Sequence, residues 1–338
     1  MAPLCAALLL TLGAAAAAPL AWTWATPQTF VHCSNISGEL NAAAAAAMAS
    51  SAFAVIEKYQ ALDAPPERTG GELKVIEAAR AVRALNANAT MIFYFAVDYT
   101  RTWYDLGRWF DAHSALQVHG ADGRRINHTD SDGGAPNNWG IFDWAQQDAR
   151  DAWIDRIASV VSTADGNGAN LFDGVFIDGY RGAAGWAPGL IPAAAPAEQS
   201  AWLAGAKLLG PALAEALGND TIRFINPGQT FADFPGYSAN SIEFFAPEDE
   251  SIKFLQSIVG TFPTIEVHAY IGGDLGLFNT TFAAYLIGVG AGAYFGAGAQ
   301  WAQCDDWRAC SPRARNAQSP CGSAIGSLLF PSCAHLSQ

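Results

Sequence analysis

Charge is what this sequence has least of. Charged residues fill only 14% of its 338 positions, and 18 Lys or Arg stand against 31 Asp or Glu for a net charge of −13. Nucleic acids and anionic membranes are held by clustered Lys and Arg, so the balance argues against both as partners. An acidic surface does keep a secreted protein soluble. Low charge here does not mean disorder, because 51% of the chain is hydrophobic and can build a sizeable core. The six cysteines contain no C-x-x-C pair, and no His stands at zinc-ligand spacing, which argues against a zinc module. No Gly-rich phosphate turn follows the first candidate strand, where Cys33-Ser34-Asn35-Ile36-Ser37-Gly38 stands instead. That absence disfavours a doubly wound dinucleotide-binding sheet. There is no internal repeat beyond strand–helix alternation and no interdomain linker.

What is present begins with an apolar run, MAPLCAALLLTLGAAAAAPLAW, that ends in small residues. It has the length of a secretory signal with cleavage near Ala16 to Ala18, and it is short for a membrane span. Residues 1–18 are therefore expected to be a signal peptide, with no stable membrane insertion once it is removed. N-x-S/T sequons at Asn35, Asn88, Asn127, Asn219 and Asn279 agree with a secreted glycoprotein. Cys304, Cys310, Cys321 and Cys333 crowd into a tail at 304–338 and suggest two disulfides of undetermined pairing. Cys33 is then left over, as a buried thiol or a pairing competitor. Nothing in the sequence sets an oligomeric state.

Between the signal and the tail, strand-length apolar runs alternate with helical patterns. Strands are expected at Thr29–Cys33, Phe53–Ile56, Met91–Val97, Gly174–Asp178, Ile222–Ile225, Ser241–Phe245, Ile265–Tyr270 and Ala293–Phe295. The expected helices are Ala42–Ala49, Glu72–Leu85, Trp103–His113, Gln146–Thr163, Ala197–Leu217, Glu250–Val259 and Thr281–Val289. A polar loop over Val118–Gly140 is long enough to be functional or disordered. Eight strands with intervening helices predict an α/β fold, a (β/α)₈ TIM barrel spanning 27–303 as a single domain.

Active sites of such barrels lie at the C-terminal ends of the strands, and that is where this sparsely charged chain spends its polar residues. The second strand ends on Glu57-Lys58-Tyr59, the third on Asp98-Tyr99, the fourth on Asp178 and Tyr180, the fifth on Asn226 and the sixth on Glu248-Asp249. Glu266, His268 and Tyr270 share one strand face by their period of two. Trp301, Asp305, Asp306 and Trp307 follow the eighth strand. Carboxylates bind sugar hydroxyls, and aromatic rings stack on the apolar faces of pyranoses. Glycosidic cleavage needs two carboxyl groups flanking the bond. Asp178 is the expected nucleophile or base and Glu248 the expected general acid. Glu57, Asp98, Tyr180, Asn226, His268 and Trp301 are expected to position the sugar. No cofactor is required and no metal ligands are assigned.

The segment Phe172-Asp173-Gly174-Val175-Phe176-Ile177-Asp178 resembles the fourth-strand motif of glycoside-hydrolase-like TIM barrels, including the endo-α-1,4-polygalactosaminidase-like group. A looser likeness runs from about Phe30 to Trp301 through Val55-Ile56-Glu57-Lys58, Phe142-Asp143-Trp144 and Ile242-Glu243-Phe244-Phe245-Ala246. The resemblance implies that Asp178 sits in a catalytic mouth that takes an oligo- or polysaccharide. The motif is also similar to the family-18 chitinase signature, but that pattern needs Asp at 176 and Glu at 180, where this chain has Phe176 and Tyr180. Two other functions fit the same residues: a non-catalytic carbohydrate-binding barrel, and a metal-dependent hydrolase.

Overall fold

A computed structural model describes residues 20, 22–25, 27–130, 137–180, 183–226, 234–271 and 274–298. The expected signal peptide, the Cys-rich tail and Trp301 lie outside the described residues. The chain runs β1 (Phe30–Cys33), α1 (Ala42–Ser50), β2 (Phe53–Ile56), α2 (Gly71–Leu85), β3 (Met91–Ala96), α3 (Asp105–Ala112), β4 (Asn127–Asp130), β5 (Asn137–Gly140), α4 (Gln147–Val161) and β6 (Gly174–Asp178). It continues through α5 (Ala183–Leu190), α6 (Pro196–Ala206), α7 (Leu209–Leu217), β7 (Ile222–Ile225), β8 (Ala239–Ile242), α8 (Asp249–Ile258), β9 (Thr264–Tyr270), α9 (Leu275–Gly288) and β10 (Ala293–Gly298).

Eight of these strands form one parallel sheet in the order β1-β2-β3-β6-β7-β8-β9-β10. The sheet nearly closes on itself: Thr29 bridges Phe295 in parallel, and the Phe295 N–H donates to the Gln28 carbonyl at 2.9 Å. This is the expected (β/α)₈ barrel. Its strands are buried on both faces, which is why they read as continuous apolar runs. The long polar loop holds a two-stranded hairpin, β4 paired antiparallel with β5.

Period-two alternation divides each strand between the barrel lumen and the helix layer. At the N-terminal end the lumen is plugged by Phe30, Phe53, Ile92, Ile222, Phe224 and Tyr294, with Phe30 stacked on Phe53 at 5.2 Å. Trp22 packs beneath this plug and donates its indole N–H to the Ala293 carbonyl at 3.0 Å. On the outside, α4 buries Ala149, Trp153, Ile157 and Val160, the stripe its spacing predicts. The spacing of Leu73, Ile76, Ala79 and Val82 predicts the apolar face of α2; the helix buries Ala79 and Val82 together with Val75 and Ala78, and leaves Leu73 exposed. Cys33 is fully buried on β1, and the four cysteines of the tail lie outside the described residues.

Three expected elements differ, the first being the helix expected over Thr281–Val289, which begins six residues earlier at Leu275. The single helix over Ala197–Leu217 is broken into α6 and α7. Pro211 has no N–H and would clash with the carbonyl four residues back in a continuous helix, so the break places it in the first turn of α7, where proline is tolerated. The strand expected over Ser241–Phe245 ends at Ile242. Phe244 takes a left-handed backbone with φ 61° and cannot continue a strand.

Candidate active site

Seven side chains from neighbouring strand ends meet at the C-terminal mouth. Asp178 ends β6, where the barrel wall directs it inward. Its Oδ2 accepts from the Tyr94 hydroxyl of β3 and lies 3.9 Å from Lys58 Nζ, just past β2. Its Oδ1 accepts from Asn226 Nδ2 at 2.9 Å. The same amide nitrogen donates to Glu243 Oε2, also at 2.9 Å, and the Tyr270 hydroxyl donates to Glu243 Oε1 at 2.8 Å. One asparagine thus spans two carboxyl groups, and its two equal bonds cap the separation of those oxygens at twice 2.9 Å.

The environments push the two acids apart. Burial drives the Asp178 pKa up, but Lys58, the Tyr94 hydroxyl, Arg101 and the Gly179 N–H outweigh it and hold the carboxyl below the usual carboxylate range. Glu243 is pushed up to about 7 by burial first and by ionised Asp178 second, against the opposing bonds from Asn226 and Tyr270 and the pull of Lys58. Near neutral pH the pair therefore holds one ionised and one substantially protonated carboxyl, the division of labour that acid–base catalysis needs.

A third acid lies close to the first, and burial together with ionised Asp178 raises its pKa, against the pull of Arg101. Asp98 is buried, accepts from the Tyr99 N–H at 2.9 Å and pairs with Arg101 Nη1 at 3.2 Å. The Arg101 guanidinium lies 4.6 Å over the Tyr99 ring, which stacks on Trp139 of β5 and on His128 of β4. The hairpin is what braces Arg101. Gly179 has φ 91°, and a β-carbon there would stand 2.7 Å from the Asp98 carboxyl carbon. The glycine after Asp178 thus serves both a left-handed turn and a close approach. Gly179→Ala should lower unfolding stability by about 2 kcal/mol or more, from left-handed strain plus displacement of Asp98, as read in thermal or urea melts.

Below the mouth lies a buried polar layer. His32 Nδ1 is 2.8 Å from Glu57 Oε1 and its Nε2 is 2.9 Å from Glu266 Oε2, with all three residues fully buried. The Ser241 hydroxyl donates to Glu266 Oε1 at 3.1 Å, and His268 Nδ1 lies 3.7 Å from that oxygen. Burial would lower the His32 pKa, but Glu266 and then Glu57 outweigh it and hold it up at about 9. For His268 burial prevails, and its pKa falls. His32, Glu266 and His268 are the one group among the described residues whose ligand atoms, within 4.8 Å of one another, could hold a metal ion. Both His32 nitrogens already face carboxylates at hydrogen-bond distance, so an imidazolium proton fits this layer with no rearrangement.

The expected site residues distribute as follows. Asp178, Asp98 and Asn226 are in the mouth. Glu57 and His268 are in the buried layer beneath it. Tyr180 is buried against Phe234 and Tyr237, with its hydroxyl 2.5 Å from that of Tyr237. Glu248 is the exposed N-cap residue of α8, whereas Glu243 shares Asn226 with Asp178. Tyr94, Lys58, Glu243 and Tyr270 complete a cluster that the sequence only partly signalled. Tyr94 was hidden in the apolar run MIFYFA, although its period-two register with Asp98 marks the lumen face.

No protein-family model and no curated protein matches the sequence. Solved structures resemble it in outline at low identity. The GH36 α-galactosidase AgaA of Geobacillus stearothermophilus aligns with 10% identity and a TM-score of 0.49, over 80% of this chain and 38% of that one. A glucosidase II alpha subunit aligns with 11% identity and a TM-score of 0.48, over 89% and 34%. The α-L-fucosidase isoenzyme 2 of Paenibacillus thiaminolyticus aligns with 14% identity and a TM-score of 0.46, over 81% and 46%. This chain spans less than half the length of each.

Proposed function

We propose that this chain is a secreted glycoside hydrolase that cleaves O-glycosidic bonds of an oligo- or polysaccharide with net retention. The carrying observation is the pair Asp178 and Glu243, bridged by Asn226, with one carboxyl held below the usual carboxylate range and the other pushed up to about 7. Inverting pairs stand about 6.5–9.5 Å apart to admit a water, and retaining pairs about 5–5.5 Å. A single amide bridging both groups favours the shorter class.

In this reading Asp178 attacks the anomeric carbon while the leaving oxygen takes the proton of Glu243. The result is a glycosyl ester on Asp178. Glu243, now a carboxylate, then removes a proton from a water that attacks the same carbon, which frees Asp178 and restores protonated Glu243. Tyr94, Lys58 and Asn226 hold Asp178 in place, and Tyr270 holds Glu243. The acidic mouth and the net charge of −13 favour a neutral or amino sugar over a uronate. The motif likeness to the endo-α-1,4-polygalactosaminidase-like group supports the same substrate class. Secretion is supported by the apolar run that opens the sequence and by the exposed sequon residues Asn88, Asn127, Asn219 and Asn279, the last of which lies within α9.

The test is hydrolysis of a panel of α- and β-linked oligosaccharides, with the first-formed anomer read by NMR and the rate followed against pH. Activity requires Asp178 ionised, so it falls as pH drops below the ordinary carboxylate range. It requires Glu243 protonated, so it also falls as pH rises through about 7. An inverted first product removes the Asp178–Glu243 assignment. Binding without hydrolysis replaces the enzyme by a carbohydrate-binding barrel.

A further inference from the structure

Phe244 is costly to place where it stands. It follows Glu243, holds a left-handed backbone at φ 61°, and leaves 68% of its surface in solvent. A bulky residue is strained in that region, where glycine would sit freely. Burial does not compensate, since the residue that packs inward here is its neighbour Phe245, at 3% exposure. What the strained turn achieves is position. The Phe244 ring stacks on Tyr270 with centroids 4.6 Å apart and planes 26° from parallel. Tyr270 in turn stacks on His268 and donates its hydroxyl to Glu243. An exposed aromatic plane is thereby fixed beside the carboxyl that carries the transferable proton.

We propose that Phe244 is the platform for the sugar on the leaving-group side of the scissile bond, taking the C–H face of a pyranose ring. The inference rests on the glycosidase reading and adds to it a subsite and its chemistry. Glu243 protonates the oxygen that belongs to the departing sugar, so the ring fixed next to Glu243 underlies that sugar and not the one Asp178 attacks. Planar aromatic faces accept flat apolar surfaces, and a pyranose presents such a surface while its hydroxyls point outward to the polar rim. Local strain kept beside a reacting group, at a residue left mostly in solvent, is the pattern expected of a functional position.

The experiment compares wild type, Phe244→Gly and Phe244→Trp on two substrates with the same glycone: an oligosaccharide, which has a sugar leaving group, and the glycosyl fluoride, which has none. In Phe244→Gly the ratio of kcat/KM between them shifts about ten-fold against the oligosaccharide, equivalent to about 1.4 kcal/mol. Phe244→Trp restores the ratio. The melting temperature of Phe244→Gly stays at or above wild type, because glycine relieves the left-handed strain. An equal loss on both substrates, or a fall in melting temperature parallel to the loss of activity, overturns the proposal. If the wild type hydrolyses nothing on the panel, the glycosidase reading fails by itself, and calorimetry with the same oligosaccharides decides the platform: affinity lost in Phe244→Gly sustains it, and unchanged or absent binding overturns it.

Discussion

Asp178→Asn should reduce hydrolysis by about four orders of magnitude, the scale on which one member of a catalytic group acts. Asparagine keeps the size of the side chain and can still accept from Asn226, so the fold should survive, as circular dichroism would show. What it lacks is the ability to form and release a glycosyl ester. A second readout follows from the electrostatics. Ionised Asp178 helps to raise the Glu243 pKa to about 7, so removing that charge lets Glu243 ionise at lower pH. Carboxyl-carbon NMR of labelled glutamate would record the downward shift. Glu243→Gln should behave differently. Its loss should be about 10²–10⁴-fold for sugar leaving groups, the range for general acid catalysis, and far smaller for activated aryl glycosides whose departure needs no proton. If Asp178→Asn retains wild-type rates, or Glu243→Gln loses equally on every leaving group, the assigned roles are wrong. Glu248→Gln serves as the control, since Glu248 stands exposed at the cap of α8.

The barrel was legible because buried parallel strands write continuous apolar runs and helices between them write a period near 3.6. Asp178 was legible because a carboxylate ending such a run has one place to go. Glu243 was not. Read as part of a strand over Ser241–Phe245, it looks like one alternation step among others, and Glu248 beyond the strand looks like the acid on a loop. The structure ends β8 at Ile242 and turns the chain at Phe244. No propensity announces a left-handed phenylalanine, so the acid that this turn presents stayed hidden. The hairpin was hidden for a related reason: Asn-His-Thr-Asp and Asn-Asn-Trp-Gly are poor strand formers. They pair because Trp139 and His128 close on Tyr99, a tertiary contact that local sequence does not encode. His32 carried a readable signal that is easily passed over, a lone titratable residue on the inward register of Phe30-Val31-His32-Cys33.

That histidine yields the largest stability effect. His32 neutralises two carboxylates in the barrel interior, and His32→Gln leaves Glu57 and Glu266 facing each other with only neutral donors between them. Breaking a buried charge pair by removing one partner costs about 3–5 kcal/mol, so the variant should unfold at markedly lower urea concentration near neutral pH. The pH dependence separates charge from packing. The folded pKa of His32, about 9, lies above its ordinary value of 6.5. The imidazolium therefore contributes fully below about pH 6.5, and its contribution is lost as pH rises through about 9; the shift corresponds to about 3 kcal/mol. Glu266, held near 2 against the opposing effect of burial chiefly by His32, reports the same contact from the acid side, with stability lost as pH falls through about 2, and the two are not to be added. Wild-type stability should thus fall between about pH 7 and pH 10, while the loss attributable to His32 disappears from the His32→Gln curve. Parallel curves for the two proteins would mean that the histidine is neutral in the fold, and the space between Glu57 and Glu266 would then need another positive charge. The three ligand atoms of His32, Glu266 and His268 make a divalent metal ion the candidate to measure in that event, by metal analysis of the purified protein.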